Sequence, residues 1–204
     1  MQLSIVQTGL IGTNTYIFDC GDALAVVDPG ANSERILKAA EPFNKPIRHV
    51  LLTHAHWDHV GAVRFFQQSG ARVYLHEADQ KILKSDFAPD VLLKGGEELG
   101  ICCHGVRLID SDTVSKPDPA RAVSVLHTPG HSAGSVCYLV NDVMFSGDTL
   151  FRLEIGRCDL ATGSFAQMKN SLKTLFALKK DYCVLPGHGE ETSLFFEKAN
   201  NPYR

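Results

Sequence analysis

Leu51-Leu52-Thr53-His54-Ala55-His56-Trp57-Asp58-His59 runs from an apolar strand straight into four side chains able to ligate a metal. His54 and His56 are two apart, so an extended backbone sends both imidazoles to one side, where they can chelate one ion. Asp58 and His59 are adjacent and share that side only if the chain turns. Val60-Gly61-Ala62-Val63-Arg64-Phe65-Phe66 reads as the start of a helix, which supplies the turn and aims the pair at a second ion. A single histidine at a strand end is usually a hydrogen-bonded residue without a metal. Three histidines and an aspartate crowded together would be desolvated at considerable cost without a cation.

Outward from this stretch, Leu3 to Thr8 reads as a strand, and Thr15 to Phe18 with Ala23 to Val27 as a hairpin about Asp19-Cys20-Gly21-Asp22. Asp28-Pro29-Gly30 stops the second of these. Asn32 or Ser33 can cap a helix through Ala40, and Ile47 to Leu52 is the strand that delivers the histidines. Beyond His59 a helix is expected to Gly70, a strand over Arg72 to Leu75, and a helix over Glu77 to Lys84. Ser85 to Gly100 mixes Pro, Gly and charge and reads as a surface excursion. Strands follow at Ile101 to Ile109, Ala122 to Leu126, Val136 to Val140 and Val143 to Ser146, then a helix over Phe165 to Leu178 and a strand over Tyr182 to Leu185.

Strand, Asp28, helix, strand and His54 recur as strand, Asp148, helix, strand and His188. This echo suggests two sheet-plus-helix layers packed face to face, a four-layer αββα sandwich of the α/β class with its site along one edge.

Three more ligand candidates end predicted strands. His131 lies in Thr128-Pro129-Gly130-His131, Asp148 follows Val143-Met144-Phe145-Ser146-Gly147, and His188 sits between Gly187 and Gly189. Singly, His131 reads equally well as a loop histidine and Asp148 as a helix or turn cap, while the glycines beside His188 let the backbone come close to something. Taken together with the first cluster, they close a count. His54, His56 and His131 serve one ion, Asp58, His59 and His188 a second, and Asp148 bridges them. Nitrogen and carboxylate donors suit zinc, and also iron or manganese. His49, His76, His104 and His127 are left as structural. Asp28 either orients a ligand imidazole or closes the Asp-Pro-Gly turn.

The ordered set His54-x-His56-x-Asp58-His59, His131, Asp148 and His188 resembles the metallo-β-lactamase fold superfamily of metallohydrolases, from Val27-Asp28-Pro29-Gly30 through to Glu197 and Asn201-Pro202-Tyr203. Gly147-Asp148-Thr149-Leu150-Phe151, Gly156-Arg157, Asp159, Gly163 and Pro186-Gly187-His188-Gly189 are similar to its glyoxalase II-like branch, which hydrolyses thioesters such as S-lactoylglutathione. The resemblance implies the αββα fold, a dinuclear centre and a small-molecule thioester or ester substrate. Asp58 would then be both a ligand and the catalytic group that aims the attacking water. Arg157 would hold a substrate carboxylate, or else form a surface salt bridge. Longer glyoxalase II enzymes carry a helical C-terminal extension, whereas this sequence ends soon after His188 and resembles a short form. Leu153-Glu154 stand where related sequences often have small residues.

Over 204 residues, the length prior favours one domain, and the net charge of −3 offers no basic surface for nucleic acid. No apolar run reaches the ~20 residues of a membrane span. The first residues lack a signal-peptide pattern, so a cytoplasmic enzyme, monomeric or a small homo-oligomer, is expected. The six cysteines form no CxxC pair and are expected to be reduced thiols. Rival readings on the same ligands are a lactonase and a mononuclear iron persulfide dioxygenase. A non-enzymatic alternative is a structural metal-binding module.

Overall fold

A computed structural model of the chain describes residues 2–84, 86–101, 107–108 and 122–204. Its first sheet has β1 (Leu3–Thr8), β2 (Thr13–Asp19), β3 (Leu24–Val27), β4 (Ile47–Leu51), β5 (Arg72–His76) and β6 (Val91–Leu93) in spatial order of sequence. The second is built from β7 (Glu98–Gly100), β8 (Arg107–Leu108), β9 (Ala122–His127), β10 (Val136–Val140), β11 (Val143–Gly147), β14 (Cys183–Pro186) and β15 (Thr192–Ser193), ordered β15-β14-β11-β10-β9-β7-β8. A ribbon of β12 (Leu150–Phe151) and β13 (Glu154–Ile155) stands beside them.

The period-2 alternation of the strands sorts their side chains into three cores. Ile17, Leu24, Val26, Val73 and Leu75 face outward to Ile36 of α1 (Ser33–Ala40) and to Val63 and Phe66 of α3 (Val63–Gln68). Tyr16, Phe18, Ala25, Val27 and Tyr74 point the other way, against Tyr138 and Phe145 of the second sheet. On that sheet's far side, Cys137, Met144 and Val184 pack on Met168, Leu172 and Leu175 of α4 (Phe165–Phe176) and on Leu194 of α5 (Leu194–Asn200). Burial on both faces explains why these strands read as nearly continuous apolar runs. The result is the expected αββα stack.

The echo between the halves is topological. β3 and β4 are parallel across α1, and β11 and β14 are parallel across α4. Asp28 and Asp148 leave the first strand of each pair, His54 and His188 the second, so all four emerge at carboxyl ends of strands. The sheets are tied at this edge by Tyr138, whose hydroxyl donates to the Leu52 carbonyl at 2.9 Å, and by Val136 N donating to the Thr53 carbonyl at 2.9 Å.

Several boundaries differ from expectation. The helix from His59 to Gly70 is broken into α2 (Trp57–Val60) and α3. At the break Ala62 N donates to the Pro29 carbonyl, and a Cβ on Gly61 would meet the Gly30 carbonyl oxygen at 2.1 Å. The Asp-Pro-Gly turn therefore seats itself against the split. Glu77 to Lys84 forms only a 3₁₀ run, Glu77–Lys81. The supposed excursion over 85–100 contributes β6 and β7, three-residue strands too short for an alternation signal. Of the strand expected over Ile101 to Ile109 only Arg107–Leu108 is a described strand; Cys102, Cys103 and His104 lie outside the described residues. Cys137, Cys158 and Cys183 are free thiols.

The β12–β13 turn accounts for one oddity of the sequence. Leu153 occupies the left-handed region (φ +56°), where a residue without Cβ strain is favoured. It is held there by Glu197, a fully buried carboxylate that accepts from Leu153 N (3.0 Å), Thr192 Oγ1 (2.7 Å) and Asn201 Nδ2 (2.8 Å).

Tyr138→Phe should cost about 1–2 kcal/mol in urea unfolding, because it strands the buried Leu52 carbonyl. An unchanged midpoint would show that the bridge between the sheets contributes nothing to stability.

Candidate metal centre

All seven expected ligands converge. The donor atoms of His54, His56 and His131 lie within 4.8 Å of one another, and so do those of Asp58, His59 and His188. Asp148 stands between the groups. Its Oδ2 is 3.3 Å from His131 Nε2 and 3.7 Å from His188 Nε2, and its Oδ1 is 3.5 Å from His59 Nε2. His54 and His59 are fully buried, and His131, Asp58 and Asp148 nearly so.

Hydrogen bonding at the back of three of the imidazoles sets their tautomers. The Arg157 carbonyl can only accept, so His131 Nδ1 carries the proton it donates at 2.8 Å and Nε2 presents a lone pair. Asp28 Oδ2 lies 3.0 Å from His59 Nδ1 and fixes that ring in the same sense. Thr53 Oγ1 donates to Asp28 Oδ2 at 2.6 Å, which leaves its oxygen to accept from His54 Nδ1 at 3.0 Å. Asp28, fully buried at φ +48° and anchored by Thr53 N at 2.8 Å, thus orients two rings. The bonds of the Asp28 carboxylate go to Thr53 and His59, which favours the imidazole-orienting alternative over closure of its own turn. Strain at such a position is tolerated where the surroundings over-determine it.

The front of the site fits a cation. Among the described residues, His54 Nε2, His59 Nε2 and Asp148 Oδ1 are buried without a well-formed hydrogen bond; His59 Nε2 stands 3.2 Å from Asp58 Oδ2 and 3.5 Å from Asp148 Oδ1, while His54 Nε2, left so, costs about 1–3 kcal/mol. His56 Nδ1 and His131 Nε2 approach to 2.8 Å, as two donors of one chelate do. Gly187 makes room, because a Cβ there would lie 2.2 Å from Asp148 Oδ1.

Protonation differs between the two groups. Burial, reinforced by neighbouring imidazoles, pushes His54 well below its ordinary range, and burial with His131 lowers His56. Both are neutral at pH 7, the form in which an imidazole can ligate. Burial also opposes charge on His59, but the Asp148 and Asp28 carboxylates outweigh it and hold that imidazole well above its usual value. His188 is raised by its hydrogen bond to Asp58. Burial works against ionised Asp58 too, yet the hydrogen bond from His188 and the His59 imidazole, its Nε2 3.2 Å away, hold the carboxyl well below the usual carboxylate range.

Sequence reasoning missed the residues that hold the site together. Thr13 Oγ1 donates to Asp58 Oδ2 at 3.1 Å. Asn14 donates through Nδ2 to the Pro186 and Gly189 carbonyls and through its backbone to Gly187, clasping the turn that carries His188. The only hint was a polar Thr-Asn-Thr run opening an apolar strand. The Arg157 guanidinium is exposed and held by Asp159 through Nε and Nη2 at 2.7 and 2.9 Å, the salt-bridge alternative. His49, His76 and His127 belong to none of these ligand groups.

The profile of the family described as Metallo-beta-lactamase superfamily matches residues 8–188. The hydroxyacylglutathione hydrolase GloC of Haemophilus influenzae is 28% identical over 208 residues, covering 100% of this chain and 98% of that one. Among solved structures, the BLEG-1 B3 metallo-beta-lactamase superposes with a TM-score of 0.83 at 28% identity, covering 99% of each chain. TTHA1623 in a di-iron-bound form gives 0.81 at 31% identity, covering 98% of this chain and 100% of its own.

Metal uptake by the metal-free protein at pH 7 should release protons, because His59 must give up the proton that the Asp148 and Asp28 carboxylates hold on it. Titration calorimetry in buffers of different ionisation enthalpy measures this, and heats independent of buffer would contradict it.

Proposed function

This chain belongs to the metallo-β-lactamase superfamily and is a metallo-hydrolase, and on that footing we propose that it hydrolyses thioesters of the S-2-hydroxyacylglutathione type with two divalent cations. The observation that carries the reading is the paired donor set, with His54 Nε2, His59 Nε2 and Asp148 Oδ1 buried and converging on a common space. His54, His56 and His131 would hold one ion and Asp58, His59 and His188 the other, with Asp148 shared. Zinc suits these donors first; iron is the alternative, as in the di-iron form of TTHA1623. Bound there, the ions would supply a water acidified from pKa 15.7 to about 7 and a Lewis acid for a carbonyl oxygen.

The chain's own residues do the rest. Asp58, fixed by Thr13 and His188, accepts a hydrogen bond from the attacking water and aims it. Hydrolysis then adds water across the C–S bond, the carbonyl carbon gaining oxygen and the sulfur leaving as thiolate. A thiol pKa of about 8.5 lets that group depart without a strong general acid. The donors lining the site are committed to cations and leave none in evident position to protonate an amine among the described residues, which favours a thioester over an amide. Arg157, exposed at the rim, trades Asp159 for the substrate's carboxylate. Likeness to GloC, along nearly its whole length, supports the same substrate class. No helix among the described residues is long and apolar enough to cross a membrane; we place the enzyme in the cytoplasm, as a monomer or small homo-oligomer acting on small molecules.

The zinc-loaded protein should hydrolyse S-lactoylglutathione and lose that activity with a chelator. His56→Ala and Asp148→Ala should each lose metal and reduce hydrolysis by more than the about 10–100-fold typical of changes one step further from a metal. Full activity in either variant, or turnover of lactones but not thioesters by the loaded enzyme, would overturn the assignment.

A further inference from the structure

Asp79 is fully buried, lies outside every group of convergent ligand atoms among the described residues, and spends its carboxylate on the two loops that carry His54, His56 and His131. Its Oδ2 accepts from Ala55 N at 3.0 Å and from Ser132 Oγ at 2.8 Å, and its Oδ1 accepts from Gly134 N at 2.6 Å. Ala55 lies between His54 and His56, and Ser132 directly follows His131. One carboxylate therefore spans the loop leaving β4 and the loop joining β9 to β10. The approach is tight, for a Cβ on Gly134 would stand 2.7 Å from the Asp79 carboxylate.

The turn bearing Asp79 is itself tied to the same loop a second time. Ala78 N donates to His76 Nδ1 at 3.2 Å, His76 stacks on His127 with centroids 4.0 Å apart and planes 14° from parallel, and His127 Nε2 donates to the Ala133 carbonyl at 2.9 Å. By contrast, the ligands of the other group are held by Asp28, Thr13 and Asn14, with no bond to Asp79.

We propose that Asp79 is a positioning residue that sets the separation of His131 from the His54–His56 pair, and through it the affinity for the cation those three imidazoles hold. This rests on the metal reading above. An Asn cannot replace the carboxylate. Whichever way the amide is turned, its NH₂ opposes either Gly134 N or the Ala55 N and Ser132 pair, so one loop is released.

The test is equilibrium dialysis of the folded, metal-stripped full chain against graded zinc, with circular dichroism confirming the fold. Wild type should take up two ions; fewer would defeat the metal reading itself, before Asp79 is tested. Given two, Asp79→Asn should weaken one position about 10–100-fold, the range for partners that orient ligands, and leave the other unchanged. In a His56→Ala background, already lacking that position, Asp79→Asn should do nothing more. In a His59→Ala background its effect should persist. Wild-type affinity at both positions, or equal weakening of both, overturns the proposal, the latter being what a merely structural role would give. If Asp79→Asn does not fold, Ser132→Ala decides: a several-fold loss at the same position supports the proposal, and unchanged binding overturns it.

Discussion

Ligand-type nitrogens and oxygens aimed at one another are the constraint to which the edge of this sandwich answers. Five imidazoles and two carboxylates meet in a space mostly closed to water. Among the described residues, His54 Nε2, His59 Nε2 and Asp148 Oδ1 are buried without a well-formed hydrogen bond. Arg157, Asp28 and Thr53 fix the protons on the outer nitrogens of His131, His59 and His54, so the inner nitrogens are turned toward one another and toward the carboxylates. The donors are preorganised for positive charge, and the protein carries the cost of keeping them so.

That cost is spread over backbone and sheet packing. Asp28 sits in a left-handed conformation, kept there by Thr53 and His59. Gly147 is at φ +49°, with Thr53 Oγ1 only 2.3 Å from where its Cβ would stand. The two sheets contribute different ligands, so their stacking fixes the site's dimensions. Tyr16 donates from β2 to the Pro186 carbonyl at 2.5 Å, and Asn14 reinforces that link to the turn of His188. Core burial and the geometry of the site are in this sense one problem.

The layers were legible because strands buried on both faces leave long apolar runs, and the ligands because each ends such a run. His54, His56, Asp58 and His59 announce themselves within one local stretch. The supporting bonds were not legible, since their partners are far apart along the chain. Nothing local links Asn14 to Pro186, Asp79 to Gly134 or Glu197 to Leu153. Edge strands such as Val91–Leu93 are too short for periodicity, and the split between α2 and α3 arises from the contact of Gly61 with Gly30. Arg157 illustrates the opposite trap. Its visible contribution to the centre is a backbone carbonyl, which no side-chain pattern could reveal.

Anomalous diffraction from crystals of the zinc-loaded protein tests the central claim most directly. Two peaks should lie on either side of Asp148, one about 2.0–2.1 Å from nitrogens of His54, His56 and His131, the other at similar distances from His59 and His188 with an Asp58 oxygen at about 2.0–2.2 Å. A single peak, or metal bound away from these side chains, would contradict it.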